Sequence, residues 1–170
     1  MAGVYCESVG LLRSNSVLAA VALGSNLGDR RGFLNAAVAG LRGVPGTTVE
    51  AVSTFIETAP VGDVSQGPFL NGAAVLRTLR SARELLEALH AIERAQGRRR
   101  DNERRWGPRT LDLDLLTHGD LVSTEPELTI PHPRLHERRF VLEPLAEIAP
   151  GLMVPGRGVV RELLAALGPG

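Results

Sequence analysis

An α+β fold with a ferredoxin-like β-α-β-β-α-β core is the architecture this sequence predicts. Three observations carry it. Val17-Leu18-Ala19-Ala20-Val21-Ala22-Leu23 is an unbroken apolar run that reads as a buried strand. Two amphipathic helical stripes are separated by a pair of strand-like segments, and Leu111-Asp112-Leu113-Asp114-Leu115 alternates with the period of a strand. The expected plan is an antiparallel sheet with helices packed on one face and extra helices at the C-terminal end.

After the first strand, Asp29 can cap a helix whose apolar stripe runs Phe33, Leu34, Ala37, Val38 and Leu41, and Gly43, Pro45 and Gly46 end it. Thr48 to Glu57 alternates loosely and reads as a strand, and the proline- and glycine-bearing stretch from Ala59 to Pro68 as a loop. Phe69 to Leu79 is the next strand. Ser81 and Glu84 then form a capping box ahead of a helix whose core face carries Leu85, Leu86, Leu89 and Ile92, closed by Gln96-Gly97. A turn at His118-Gly119-Asp120, an edge hairpin over Leu121 to Thr129, and helices over 138–148 and 159–167 complete the chain. Residues 1–16 read as a partly disordered N-terminal extension to one domain over 17–170.

At 170 residues a single core is large enough to bury about 70% of the surface the unfolded chain would expose. Zero net charge argues against a general nucleic-acid or membrane-surface binder. The lone Cys6 excludes an intrachain disulfide and any zinc site built on several cysteines, and fits a reducing cytosol. The seven-residue apolar run is too short to span a membrane. Every basic side chain is an arginine, which suits bidentate contacts to phosphate and is equally expected of a GC-rich genome.

The chemistry concentrates in Arg105-Trp106-Gly107-Pro108-Arg109-Thr110-Leu111-Asp112-Leu113-Asp114. Asp112 and Asp114 share one strand face about 7 Å apart. Two such carboxylates repel unless a cation lies between them or one is protonated, and a hard cation, Mg2+, is the favoured reading. An isolated D-x-D pair would also fit solvent-facing acids on an edge strand. The Arg98–Arg105 run fits a solvated loop, an RNA patch with Trp106 stacking on a base, or the phosphate-binding half of a phosphoryl-transfer site. Its adjacency to the aspartates favours the last.

Gly24-Ser25-Asn26-Leu27-Gly28-Asp29 lacks a Walker lysine and reads as a tight turn with an N-cap. Phe69 and Asn71 share a strand face and suit a flat heteroaromatic ligand, or else a half-buried strand start. His132 and His136 have helical metal spacing, but Pro131 and Pro133 disfavour a helix, so phosphate or nucleotide contacts from His132 and Arg138 are expected instead. His90 and His118 read as surface residues without partners.

Ala-Leu-Gly-Ser-Asn-Leu, Phe-Leu-Asn-Gly-Ala-Ala, Arg-Trp-Gly-Pro-Arg-Thr-Leu-Asp-Leu-Asp and Ile-Pro-His-Pro-Arg-Leu occur in register over about residues 18–155. Together they resemble the 6-hydroxymethyl-7,8-dihydropterin pyrophosphokinase family of folate biosynthesis. The resemblance implies Mg2+-dependent transfer of pyrophosphate from ATP to the pterin's hydroxymethyl group, with release of AMP. It implies two Mg2+ ions on Asp112 and Asp114, and mobile catalytic-loop arginines at Arg98 and Arg109. Pterin contacts would come from Thr58, Val61, Phe69, Asn71 and Phe140, and ATP contacts from Glu93, Arg100, Trp106, Leu115, Thr129, His132 and Arg138. A cytoplasmic monomer acting on ATP and pterin, without nucleic acid or membrane, follows from it.

Against similar bacterial enzymes, the loop from Gly97 to Trp106 is one residue longer. Glu127 and Pro133 replace an arginine and a tyrosine near ATP, His90 a glutamine, Phe69 a tyrosine and Ala59 a proline. Two competing readings are a non-catalytic RNA-binding module on Arg98–Arg105, and a Mg2+-dependent phosphohydrolase on the same two carboxylates.

Overall fold

The computed structural model describes residues 16–60, 66–98 and 108–168. Its main sheet is built from β1 (Val17–Ser25), β2 (Thr47–Val52), β3 (Ile56–Thr58), β4 (Phe69–Thr78) and β5 (Asp112–His118). The order is β2-β4-β1-β5, with β3 pairing on the first residues of β4. All of these pairs are antiparallel. Helix α1 (Arg30–Arg42) joins β1 to β2, and α2 (Ala82–Ala95) joins β4 to β5. Each crossover therefore returns to the sheet beyond one intervening strand, the connectivity expected of a β-α-β-β-α-β chain.

Both helix starts follow from local chemistry. The Asp29 carboxylate accepts from Gly32 N at 2.9 Å. The Ser81 hydroxyl accepts from Glu84 N while the Glu84 carboxylate accepts from Ser81 N at 2.8 Å, the reciprocal capping box read from the sequence.

One expectation is overturned: helices cover both faces of the sheet. Ala19, Val21 and Leu23 of β1 pack with Leu34, Leu41, Leu85 and Leu89 of α1 and α2. On the opposite face Ala20, Ala73, Val75 and Leu116 pack with Leu142 and Leu145 of α3 (Arg139–Ile148) and Val160 of α4 (Val160–Ala166). The physical reason was present in β1 itself, whose continuous apolar run is the pattern of a strand buried on both sides rather than one facing water.

Smaller differences concern boundaries. The strand expected over Thr48 to Glu57 is two strands: Ser53 N still donates to the Ala73 carbonyl at 2.9 Å, but the Ser53 hydroxyl rather than its carbonyl takes up Ala73 N at 2.9 Å. The hairpin of β6 (Ser123–Glu125) and β7 (Leu128–Ile130) is a separate two-stranded sheet, not an edge of the main one. A second small hairpin, β8 (Met153–Val154) with β9 (Gly158–Val159), went unread although Pro155-Gly156 is a turn signal. Helix α3 begins one residue later than expected, after a 3-10 turn over Leu135–Glu137. Apart from Ser16, the expected N-terminal extension lies outside the described residues.

Candidate active site

The sheet register brings the chemistry together at one end of the central strand. Gly24 of β1 pairs with Asn71 on one side and Asp112 on the other, so these three residues form a row across the sheet. Two residues back, Ala22 pairs with Ala73 and Asp114. Neighbouring strands lie about 4.8 Å apart, which sets Asn71 and Asp112 about 10 Å from each other across Gly24.

A cleft of about 740 Å³ opens over this row. Thr58, Phe69, Asn71, Arg98, Arg109, Asp112, Asp114, His132, Arg138 and Phe140 all line it, ten of the residues expected at the site from sequence. A second hollow of about 250 Å³ shares Asp114, His132 and Pro133 with the cleft and includes Leu115 and Thr129. Val61, Arg100 and Trp106 lie outside the described residues.

Glu93 lines neither cavity and is 1% exposed. Its carboxylate accepts from Leu113 N at 2.8 Å and from the Arg98 guanidinium at 2.6 Å. Arg98 is 8% exposed, fastened by the same Nη1 to Asp112 Oδ1 at 2.5 Å and to the Leu111 carbonyl at 3.2 Å. In this arrangement Arg98 is not a solvated loop residue: it bridges the end of α2 and the start of β5 while still lining the cleft. Arg109 occupies the other Asp112 oxygen, Oδ2, at 2.7 Å.

The turn after β1 does more than the tight turn read from sequence. Asn26 accepts Arg109 N on its Oδ1 at 2.8 Å, donates its own N–H to the Arg109 carbonyl at 3.2 Å, and binds Gln66 through its side-chain amide at 2.8 Å. It thus anchors the backbone of Arg109, and the Ala-Leu-Gly-Ser-Asn-Leu motif was the signal that could have flagged it. On the other flank, Asn71 donates to the Thr58 hydroxyl at 2.7 Å, which fixes its amide. His118, read as a partnerless surface residue, bonds the Arg80 carbonyl through Nε2 at 2.9 Å. His90 is half-buried.

Charge in the cleft is unevenly balanced. Asp112 has two guanidinium partners, whereas Asp114 faces His132 Nε2 at 4.0 Å. Burial, and then the neighbouring Asp112 charge, push the Asp114 carboxyl up to about 7 even though 36% of its side chain meets the cleft. Burial, and then Arg138, pull His132 down to about 4, so it is neutral at physiological pH. Burial lowers Arg138 below the usual guanidinium range, and its cation lies 5.7 Å from the centre of the Phe140 ring. Two hard oxygen donors on one strand face, one of them short of positive charge, fit a divalent cation such as Mg2+.

A family model described as 7,8-dihydro-6-hydroxymethylpterin-pyrophosphokinase matches residues 20–150. A Pseudomonas aeruginosa 2-amino-4-hydroxy-6-hydroxymethyldihydropteridine pyrophosphokinase is 47% identical over 146 residues, covering 86% of this chain and 89% of that protein. A Bacillus subtilis protein of the same name is 51% identical over 132 residues, 77% of each chain. Among solved structures, a Plasmodium falciparum HPPK-DHPS triple mutant with SDX-DHP superposes with a TM-score of 0.68 at 16% identity, over 89% of this chain. This chain spans 44% of that protein's length, and the likeness bears on the fold alone.

Proposed function

The chain belongs to the 7,8-dihydro-6-hydroxymethylpterin-pyrophosphokinase family, and on that premise we propose how its cleft residues divide the work. The enzyme transfers pyrophosphate from ATP to 6-hydroxymethyl-7,8-dihydropterin, giving AMP and the pterin diphosphate in folate biosynthesis. In bond terms, the hydroxymethyl oxygen joins the β-phosphorus as the bond from that phosphorus to the AMP oxygen breaks.

The pterin lies between Phe69 and Phe140, with Asn71 reading the polar edge of the ring and Thr58 holding the Asn71 amide in place. Val61, outside the described residues, adds a backbone contact. ATP runs through the smaller hollow past Leu115 and Thr129, and its phosphates meet His132 and Arg138. Arg100 and Trp106, also outside the described residues, complete the nucleotide site. Asp112 and Asp114 would hold Mg2+, two ions on this reading, which would supply positive charge to the triphosphate and to the AMP leaving group. Arg109 closes on the transferred group, its backbone anchored by Asn26. Arg98 orients Asp112 from below, and Glu93 in turn orients Arg98.

The observation that carries this reading is the row Asn71–Gly24–Asp112, which brings an amide and a carboxylate side by side on one cleft floor. An RNA-binding role for the arginine run loses ground at Arg98, which is turned inward. Among the described residues no helix is long and apolar enough to cross a membrane, and a cytoplasmic monomer is part of the proposal.

The test is AMP release measured with pterin present and absent, and with Mg2+ or chelator. AMP should appear only with pterin and Mg2+, and Asp112→Ala and Asp114→Ala should each lose about 100-fold or more in rate. Undiminished activity in chelator, or in both variants, refutes the metal assignment. Equal AMP release without pterin makes the enzyme a hydrolase.

A further inference from the structure

Gly24 sits at the centre of the cleft floor, yet its conformation does not call for glycine. It lies in extended β1, outside the set of glycines with positive φ. What requires glycine is space. A Cβ at position 24 would stand 3.3 Å from Asn71 Oδ1 and 3.8 Å from Asp112 Cβ. The first distance forces a neighbour to yield, whereas the second is ordinary contact. Asn71 has little freedom to yield, because it is 6% exposed and its amide is tied to the Thr58 hydroxyl at 2.7 Å. Gly72, one strand over and opposite Leu23, makes a contrast: its missing side chain makes room for the Phe55 ring, a matter of packing.

We infer that Gly24 is a specificity-determining residue for the pterin half of the reaction, because only a bare backbone there lets Asn71 hold its reading position beside a flat ring. The inference rests on the proposed role of Asn71. A methyl group at 24 displaces the Asn71 carbonyl and lifts the ring edge, while the aspartate side keeps its geometry. The damage is therefore lopsided: pterin affinity falls and nucleotide affinity does not.

The experiment is equilibrium titration of the full chain with the fluorescent pterin, and separately with a non-hydrolysable ATP analogue plus Mg2+. The proteins are wild type, Gly24→Ala, Asn71→Ala and the double variant, each checked by its melting midpoint. Gly24→Ala should weaken pterin binding about tenfold and nucleotide binding by less than about twofold. In the Asn71→Ala background the same glycine substitution should change pterin binding by less than about twofold, since the group it displaces is gone. Wild-type pterin affinity in Gly24→Ala, equal losses for both ligands, additive losses in the double variant, or a Gly24→Ala chain that fails to fold would each overturn the inference. Unchanged affinity in Asn71→Ala overturns the underlying reading of Asn71 instead.

Discussion

Replacing Glu93 tests whether this carboxylate holds the site together or touches the nucleotide. In the structure Glu93 is 1% exposed and serves two partners, the Arg98 guanidinium at 2.6 Å and Leu113 N at 2.8 Å. Leu113 is the residue between the two aspartates, so one side chain secures both β5 and an arginine beside it. Glu93→Leu removes the charge and the acceptor together. Breaking a buried ion pair by deleting one partner costs about 3–5 kcal/mol, and orphaning a buried N–H costs about 1–3 kcal/mol. Arg98 keeps Asp112 and the Leu111 carbonyl, so the low end of the combined range applies, about 4 kcal/mol. That is a large share of the roughly 5–15 kcal/mol that holds a domain folded. Glu93→Gln keeps an acceptor for Leu113 N and should lose about 1–2 kcal/mol. Urea midpoints at unchanged slope give the stabilities, and steady-state kinetics give the site's response: kcat should fall while the KM for ATP stays near wild type. A stability loss under about 1 kcal/mol, with a raised KM for ATP, would refute the bridge and put Glu93 on the nucleotide.

Three further outcomes are expected. Asp114 is held up at about 7, so the folded chain binds more protons than the unfolded one between the ordinary carboxylate value of 3.8 and about 7, and stability falls as pH rises through that window. Ligand-free Asp114→Asn should therefore be the more stable protein at about pH 8, by roughly 1 kcal/mol once water screening is allowed for, with the gap closing below about pH 4; a less stable variant at high pH rejects this. His132, held down at about 4, binds fewer protons folded than unfolded below its ordinary 6.5, so its share of stability is lost as pH falls from 6.5 toward 4. Its ring signals should stay flat by NMR between about pH 5.5 and 8, and a midpoint near 6.5 would contradict the burial argument. Ser81→Ala removes the capping hydroxyl of α2 and should lower stability by about 1 kcal/mol, read from urea midpoints, with saturated turnover unchanged; a drop in turnover would tie the helix start to the site.

What the sequence revealed was what local chemistry dictates. The Asp29 cap, the Ser81–Glu84 box and the alternation around Asp112 and Asp114 each depend on residues within one turn or one strand, and each is present. Motif resemblance then supplied residues scattered along the chain, and ten of them line one cleft. What stayed hidden depends on register and on long-range pairing. Nothing in the run Gly24-Ser25-Asn26 says that Gly24 will fall between Asn71 and Asp112, or that Asn26 will clamp Arg109. Arg98 looked like the first charge of a solvated loop because its partners, Glu93 a helical turn earlier and Asp112 on the next strand, meet only when α2 packs beside β5. The second helical layer was hidden for another reason: the α3 and α4 helices were legible as spans, but not the face they would cover.

The charge pattern around the aspartates supports the proposal of a cation at the junction of the two cavities. Asp112 is neutralised from both sides, by Arg98 on Oδ1 and Arg109 on Oδ2. Among the described residues Asp114 has no comparable ion-pair partner, since the ring it faces at 4.0 Å is kept neutral by its own burial. Arg138 favours the ionised carboxylate, but burial and the Asp112 charge outweigh it. The shortage of positive charge is therefore concentrated on Asp114, and Asp114 is also the carboxylate that lines both the large cleft and the smaller hollow. On the proposed reading, that is where a triphosphate passes from the nucleotide's seat toward the pterin. A divalent ion held by the aspartates would relieve the unfavourable carboxylate charge and would supply positive charge to the phosphates. The arginines on Asp112 leave that deficit in place, so on the proposed reading the charge that a metal-bound ATP would bring is needed at Asp114 rather than at Asp112.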